Sequence, residues 1–451
     1  MPSIPAFIEI DQIKEKDIEE NKIPSNSTYV IPYKDWEIKQ KASKIYELPI
    51  EYCKFRLENG RIKTEILSHI KVKGKLLANS DEAQNIISDY LGQSDRKTNE
   101  DLKKILKKEG QKDPAIITAD GFLINGNRRK WALQQLLRED PEEKFKKLKV
   151  VILPGSGNPE RPTVNDIAIL ENRLQNYKTG KSEYTKMNKA LTYYSYTNSG
   201  IPLEELLKDD ATFRDSDEKK FKRNITKFKK EYFEPIELMN DYLESIGTPG
   251  DYNRVANRWM SFEELAEKVT SQLKNEKFLI ENNIEKNEIG TIKSAGFNII
   301  KIKDANEVAA DNRFLIRELV KWIKTEKKDV LKIGKIEEVA SDIKDFETRD
   351  SMWQENQANQ IINIIKKLQG LTERAKDQQD PLNRLREALS KLKHEDLEEN
   401  QIEQMKLSDV DEAFKLCNDI ESANKELKRF FYNLKKEYKN PKKKLAEKFN
   451  N

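Results

Sequence analysis

The stretch GQKDPAIITADGFLINGNRRKWA, residues 110–132, decides how the first part of this chain folds. Gly110 ends a helix that reaches it from residue 98, as a glycine just past a helix end commonly does. Residues 114–118, opened by Pro114 and running through Ala115, Ile116 and Ile117, form a short apolar run that reads as a buried strand. Asp120-Gly121 is a turn, and 122–124 is a second strand. Asn125-Gly126-Asn127 is a loop, and a helix follows over 128–138. That helix opens on Arg128 and Arg129, where the helix dipole disfavours positive charge. A helix N-terminus offers unpaired N–H groups that suit phosphate, Gly126 lets the backbone come close, and two arginines add bidentate geometry. The segment is therefore a candidate anion site, and two solvated arginines are its plain alternative.

Working outward, 149–153 reads as a further strand and Thr163 as the cap of a helix over 164–174. Upstream, helices are expected at 81–91 and at 98–109, the latter capped by Thr98. In LPIEYCKFRLENGRIK, residues 48–63, Asn59-Gly60 between alternating apolar residues reads as a hairpin with a type I′ turn. Residues 1–47 form a polar, irregular arm. Beyond 183 almost only helices are expected: 183–197, 202–208, 217–231, 235–245, 253–275, 306–325, 351–369, 382–393 and 408–438. The fold class is an α+β N-terminal domain, 48–180, followed by all-α domains. These are a helical domain over 181–335 and a coiled-coil-like region with a basic tail over 336–451.

Composition narrows the chemistry. Of 451 residues only two are histidines, His69 and His394, and two are cysteines, Cys53 and Cys417. Neither pair is spaced as metal ligands are, so a zinc site or a histidine-dependent nucleophile is not expected. Two scattered cysteines point to a reducing compartment, the cytoplasm, without a disulfide framework. No apolar run reaches the length of a membrane span, so no membrane association is expected. Any chemistry falls to arginine, lysine, asparagine, carboxylates and a hard cation.

The central segment resembles the N-terminal domain of the ParB/sulfiredoxin-like superfamily. The likeness rests on three boxes in order: Glu109-Gly110-Gln111 with Pro114-Ala115-Ile116-Ile117; Gly126-Asn127-Arg128-Arg129-Lys130-Trp131-Ala132; and Glu171-Asn172-Arg173-Leu174-Gln175. The resemblance covers 65–180 and implies a nucleoside triphosphate site for CTP or ATP with Mg2+. It assigns Gly126, Asn127, Arg128 and Arg129 to the phosphates, Gly110 and Gln111 to the pocket, and Glu171 and Asn172 to the metal side. The sequence departs from the family at Asn127, where a glutamate is usual, and at Lys130 and Arg173, each displaced from the family's basic position. No cysteine lies near 126–131, which removes the sulfinic reductase branch. Two other glycine patterns, Thr179-Gly180-Lys181-Ser182 and Gly155-Ser156-Gly157, lack the glycines and flanking elements of nucleotide loops.

The same resemblance places a helix-turn-helix after the nucleotide domain. Residues 200–207 read as its first helix and 217–230 as its second. The latter holds seven basic and two acidic residues around an apolar stripe of Phe221, Ile225 and Phe228. Lys219, Lys222, Arg223 and Lys230 are its candidate DNA contacts; a solvated amphipathic helix accounts for the same pattern. Further on, Val410, Phe414, Cys417, Ile420, Asn424, Leu427, Phe431 and Leu434 recur at a mean step of about 3.4, near the heptad period. Helix 408–438 is thus expected to serve a homodimer or a partner protein, or to pack on its own bundle. The expected function is that of a ParB-like, nucleotide-switched, DNA-associated protein. Two alternatives stand beside it: a nuclease or phosphotransferase using Glu171 or Asp120 as base, and an adaptor with a degenerate nucleotide site.

Overall fold

Short apolar runs whose successive residues face opposite cores build the four-stranded sheet. The computed structural model describes residues 13–20, 28–176, 184–208, 217–304, 308–309, 311–338, 343, 345–391 and 406–439. Its strands are β1 (Thr28–Val30), β2 (Ala42–Lys44), β3 (Tyr46–Pro49), β4 (Ala115–Ile117), β5 (Leu123–Asn125) and β6 (Lys147–Ile152). Four of them form a sheet in the order β3-β6-β4-β5, with β6 parallel to β4 and the other pairs antiparallel. Ala115, Ile117, Leu148 and Val150 face one core, whereas Ile116, Ile124 and Val151 face the other. This two-residue period is what a sheet covered on both faces requires.

The first face is covered by α2 (Lys63–Lys73), α3 (Asp81–Ser94), α4 (Arg96–Glu109) and α5 (Asn127–Glu139). The second is covered by α6 (Val164–Asn176) and by part of the N-terminal segment. That segment was expected to be an irregular arm. A short helix, α1 (Glu15–Glu20), precedes a β1–β2 ribbon, and Ile31, Tyr33 and Trp36 are buried against the sheet. Tyr33 Oη donates to the Glu160 carbonyl at 2.6 Å and Trp36 Nε1 to its carboxylate at 3.2 Å. Two aromatic side chains can bury enough area to order a polar stretch.

The expected hairpin at 48–63 is corrected. After β3 the chain makes two short 3-10 turns, Ile50–Tyr52 and Gly60–Ile62, and only Lys54 makes a bridge, to Phe122. Asn59 has φ −64°, and its side chain accepts from the Arg61 amide at 3.0 Å, so it caps a turn. Gly60 is there for space: a Cβ would lie 2.4 Å from Tyr184 Cε2. Asp95, not Thr98, caps α4, accepting from the Thr98 amide at 3.4 Å. Thr163 caps α6 as expected, in a reciprocal bond with Asp166.

The helical part contains α7 (Lys186–Asn198), α8 (Leu203–Lys208), α9 (Glu218–Phe228), α10 (Glu234–Ser245), α11 (Trp259–Glu264) and α12 (Ser271–Leu273). It continues through α13 (Glu276–Glu281), α14 (Glu288–Lys301), α15 (Asn312–Gly334), α16 (Phe346–Trp353), α17 (Asn359–Lys391) and α18 (Leu407–Lys439). The expected helix at 253–275 is broken into α11, a π turn at Leu265–Thr270 and α12. The helices expected at 351–369 and 382–393 belong to one run, α16, a π turn and α17. Their core holds Phe262, Trp322 and Trp353, all essentially fully buried.

The change of element type falls between α6 and α7, and α7 packs against α2 of the sheet-bearing part. Thr64 donates from its amide and its hydroxyl to Asn188 Oδ1, at 2.9 and 2.6 Å. Asn188 Nδ2 in turn reaches the Arg61 carbonyl at 2.6 Å. Residues Met1–Leu368 form one compact unit and Gln369–Asn451 a second, with the division inside α17.

Helices α14 and α15 approach closely at Gly334. A Cβ on Gly334 would stand 1.9 Å from the Thr291 carbonyl oxygen. Gly334→Ala is expected to cost about 1–3 kcal/mol through overpacking. Gly290→Ala, in the same pair with nothing within 4 Å, should instead gain up to about 1 kcal/mol from helix propensity. Urea midpoints of the two variants check the contrast.

Candidate functional site

Gly126 adopts φ +99° and caps α5. A Cβ there would lie 2.5 Å from that of Ala115, so glycine also lets the start of α5 sit against β4. The first α-helical bond of α5 runs from the Lys130 amide to the Gly126 carbonyl at 2.9 Å. The amides of Asn127, Arg128 and Arg129 precede it, in the first turn whose N–H groups a helix leaves without an intrahelical partner.

Arg128 is half-buried beside this turn. Its Nε donates to Asn99 Oδ1 at 2.7 Å. Asn99 is fully buried, and its Nδ2 donates to the Leu91 carbonyl at 2.8 Å, which fixes its orientation. Arg128 Nη2 is buried without a hydrogen-bond partner. Burial, and then the neighbouring Arg61, lower the Arg128 pKa, while Asp95 opposes them. Burial lowers the Arg61 pKa too, against Tyr184 and Asp95. Arg61 stands over the Tyr184 ring, 5.4 Å from its centre. Arg61 is thus close enough to lower the Arg128 pKa beside a helix N-terminus, and an anion is what such a site attracts.

Glu171 lies beyond Tyr184 and is buried, with 7% of its surface exposed. Its Oε1 accepts from the Gly60 amide at 3.3 Å and from Tyr184 Oη at 3.2 Å. Its Oε2 accepts from Tyr196 Oη at 3.0 Å and pairs with Arg56 Nη2 at 3.4 Å. Burial alone would lower the Arg56 pKa; Glu171 and then Glu58 more than offset this and hold it above the ordinary value. Burial, with Glu171 second, raises the pKa of both tyrosines. Lys63 is also buried here, and burial lowers its pKa against the pull of Glu58 and Glu171.

This donor set does not fit a protein-held magnesium. Both oxygens of Glu171 are taken by protein donors, and a guanidinium occupies the side a cation would need. Asn172 is turned elsewhere: its Nδ2 donates to the Leu206 carbonyl, and Tyr193 Oη donates to its Oδ1. Among the described residues, no three His, Cys, Asp or Glu side chains come together as metal ligands do.

The other expected site residues divide. Gly126 and Arg128 belong to the anion cluster, and Asn127 Oδ1 is buried there without a partner. Arg129 is bonded elsewhere: its Nη1 donates to the Asp113 carbonyl. Gly110 ends α4 with φ +72°. Gln111 acts as an extra rung on the sheet, donating to the Lys149 carbonyl at 2.7 Å and accepting from its amide at 2.8 Å. Asp120 accepts from Thr118 Oγ1 in a tight turn. Lys219, Lys222, Arg223 and Lys230 are all exposed along α9 and the π turn after it, while Ile225 and Phe228 are buried beneath. Lys222 is paired with Glu218 at 2.6 Å. The Thr179–Ser182 pattern lies outside the described residues.

Sequence reasoning missed Arg56, Arg61, Lys63, Asn99, Tyr184 and Tyr196. The visible signal was the density of charge around Asn59-Gly60, which the hairpin reading absorbed. No family model matches the chain, and neither a curated protein nor a solved structure matches it.

Lys130, in the next turn of α5, supplies a test of how dry this region is. It is 5% exposed, its Nζ 4.0 Å from the centre of the Phe55 ring. Burial pushes its pKa down from the usual 10.5 to about 8, with Cys53 opposing and Lys54 adding to the fall. Above pH 8 the folded protein sheds this proton while the unfolded chain keeps it until about pH 10.5, so stability rises across that window. Lys130→Met is expected to be more stable than the parent at pH 7 by about 3 kcal/mol. That advantage should vanish by pH 10.5, as urea unfolding of both proteins at pH 7, 8, 9 and 10 would reveal. A difference that stays constant with pH contradicts this account.

Proposed function

We propose that this chain binds a nucleoside triphosphate, CTP or ATP, with its phosphates on the first turn of α5. The observation that carries the reading is Arg128 at that turn, oriented by a buried asparagine and with its Nη2 buried and unused, while Arg61 is close enough to lower its pKa. A bidentate donor held in place before the ligand arrives loses little entropy on binding. The reading assigns Arg129 to holding the Asp113 carbonyl and Glu171 to holding the protein together. It gives Glu171 no role as catalytic base, since both of its oxygens are already committed.

The same reading makes the chain a DNA-associated protein of the cytoplasm. Its DNA surface is the exposed face carrying Lys219, Arg223, Lys227 and Lys230, which recur at i, i+4, i+8 and i+11. Their spacing aligns them along one side of the helix, as backbone contact requires. A buried, unreactive Cys53 and a free, exposed Cys417 suit a reducing compartment. Among the described residues, no helix is long and apolar enough to cross a membrane.

Titration calorimetry with CTP, ATP, GTP and UTP tests the first part. Arg61→Ala and Arg128→Ala should each weaken triphosphate binding at least about tenfold, the loss of one charge-assisted hydrogen bond. Arg129→Ala should leave binding close to the parent. Unchanged affinity in both Arg61→Ala and Arg128→Ala would overturn the assignment.

DNA binding is read by fluorescence anisotropy across a salt series. Replacing Lys219, Arg223, Lys227 and Lys230 with glutamine should weaken binding to all duplex sequences alike. The slope of log affinity against log salt should fall by about 0.9 for each phosphate that is no longer neutralised. A full slope in the fourfold variant would show that α9 is not the DNA surface.

A further inference from the structure

Helix α18 leaves an apolar seam exposed. Val410, Ile420, Leu427 and Phe431 each keep 42–43% of their surface in solvent, and Cys417 and Asn424 are exposed on the same side. The seam obeys a strict heptad. Val410, Cys417, Asn424 and Phe431 fall at a positions, and Ala413, Ile420, Leu427 and Leu434 at d positions. Alternating steps of three and four residues are what coiling around a second helix demands. Phe414 falls outside this alternation, on the flank.

The charges of the helix say which partner fits. Between 409 and 422 there are five acidic residues and one basic; between 425 and 436 there are five basic and one acidic. Acid early and base late also suits the helix dipole, but the dipole makes no demand on the heptad flank. The flank shows the same inversion, with Glu421 and Lys428 at successive e positions. A second copy running the opposite way sets each acidic half against a basic half. It also brings Glu421 opposite Lys428 of the other copy, twice by symmetry. In that register Cys417 lies opposite Leu434, Ile420 opposite Phe431, and Asn424 opposite Leu427. The two Asn424 side chains then occupy adjacent layers about 4.5 Å apart along the axis, one polar spot that fixes register. A parallel pair would set like charges side by side and leave Glu421 and Lys428 facing Leu416 and Ala423.

We propose that α18 is a self-association element, through which two copies of this chain pair as an antiparallel coiled coil. Within one chain Glu421 bonds Lys425 at 2.7 Å, an exposed pair; such pairs are worth little and exchange readily. The proposal is independent of the nucleotide reading, because it rests on α18 alone.

The experiment uses the full chain. Sedimentation equilibrium at tens of micromolar should give a dimer, and Ile420→Glu/Leu427→Glu should give a monomer with unchanged circular dichroism. Orientation is read by oxidative cross-linking, for which Cys417 is exposed and Cys53 is buried. The parent should give no disulfide-linked dimer, whereas Leu434→Cys should give one through Cys417 of the other copy. Charge exchange adds a second check: Glu421→Lys and Lys428→Glu should each weaken the dimer, and the double variant should restore it. A monomeric parent, a dimer indifferent to Ile420→Glu/Leu427→Glu, or Cys417 cross-linking to itself in the parent would overturn the proposal.

Discussion

A buried carboxylate has to be met by donors, and the donors that meet Glu171 come from distant parts of the chain. Arg56 and the Gly60 amide belong to the segment between β3 and α2; Tyr184 precedes α7, and Tyr196 lies within it. Desolvating a charge is tolerable only when the geometry satisfies it from several sides. Glu171 therefore sets where α6, the Gly60 turn and α7 stand relative to one another. The space at Gly60 follows from the same constraint, because any side chain there would displace the Tyr184 ring that completes the set.

The anion cluster hangs on this arrangement. Arg61 is one residue beyond Gly60, and its guanidinium lies over the ring whose hydroxyl bonds Glu171. Arg128 reaches the same place from the other side, held by Asn99 of α4. A phosphate drawing the two guanidinium groups together would thus act on Tyr184, and through it on the junction with the helical part. On the proposed reading, a ligand would compete with the scaffold for the same few side chains, as passing local binding to a neighbouring element requires. Asn172 lies one residue on, tying α6 to α8 by its amide and receiving the Tyr193 hydroxyl of α7.

Much of the fold was legible because its signals are local. The short apolar run at 115–117, the Thr163 cap and the glycine after α4 each depend on neighbours within a few residues, and each was read correctly. The Asn59-Gly60 pair shows the limit. As a local pattern it fits a tight hairpin turn, yet the backbone there answers to Glu171 and Tyr184, more than a hundred residues away. Trp36 and Tyr33 likewise look like parts of a polar arm until Glu160 and the far face of the sheet are brought to them. Within the site, Gly126 and Arg128 were visible because glycine before paired arginines at a helix start is locally odd. Arg56, Arg61 and Lys63 were hidden, since lysine and arginine are common in a chain of which 36% is charged. Only burial separates these three from solvated cations.

Burial also separates two helices that look alike in sequence. Both α9 and α18 combine an apolar stripe with clustered positive charge. In α9 the stripe is already spent, with Ile225 and Phe228 inside the fold, so only the charge is left to meet a partner. A surface of that kind offers a long-range, salt-sensitive attraction to a polyanion. In α18 the stripe remains in solvent, and its positive half is matched by a negative half on the same helix. On the proposed reading, it would pair with something shaped and charged in complement to itself. A net charge of +4 is the sum of these unlike surfaces, so it describes neither, and the distribution of apolar contact decides what each cluster of charge is for.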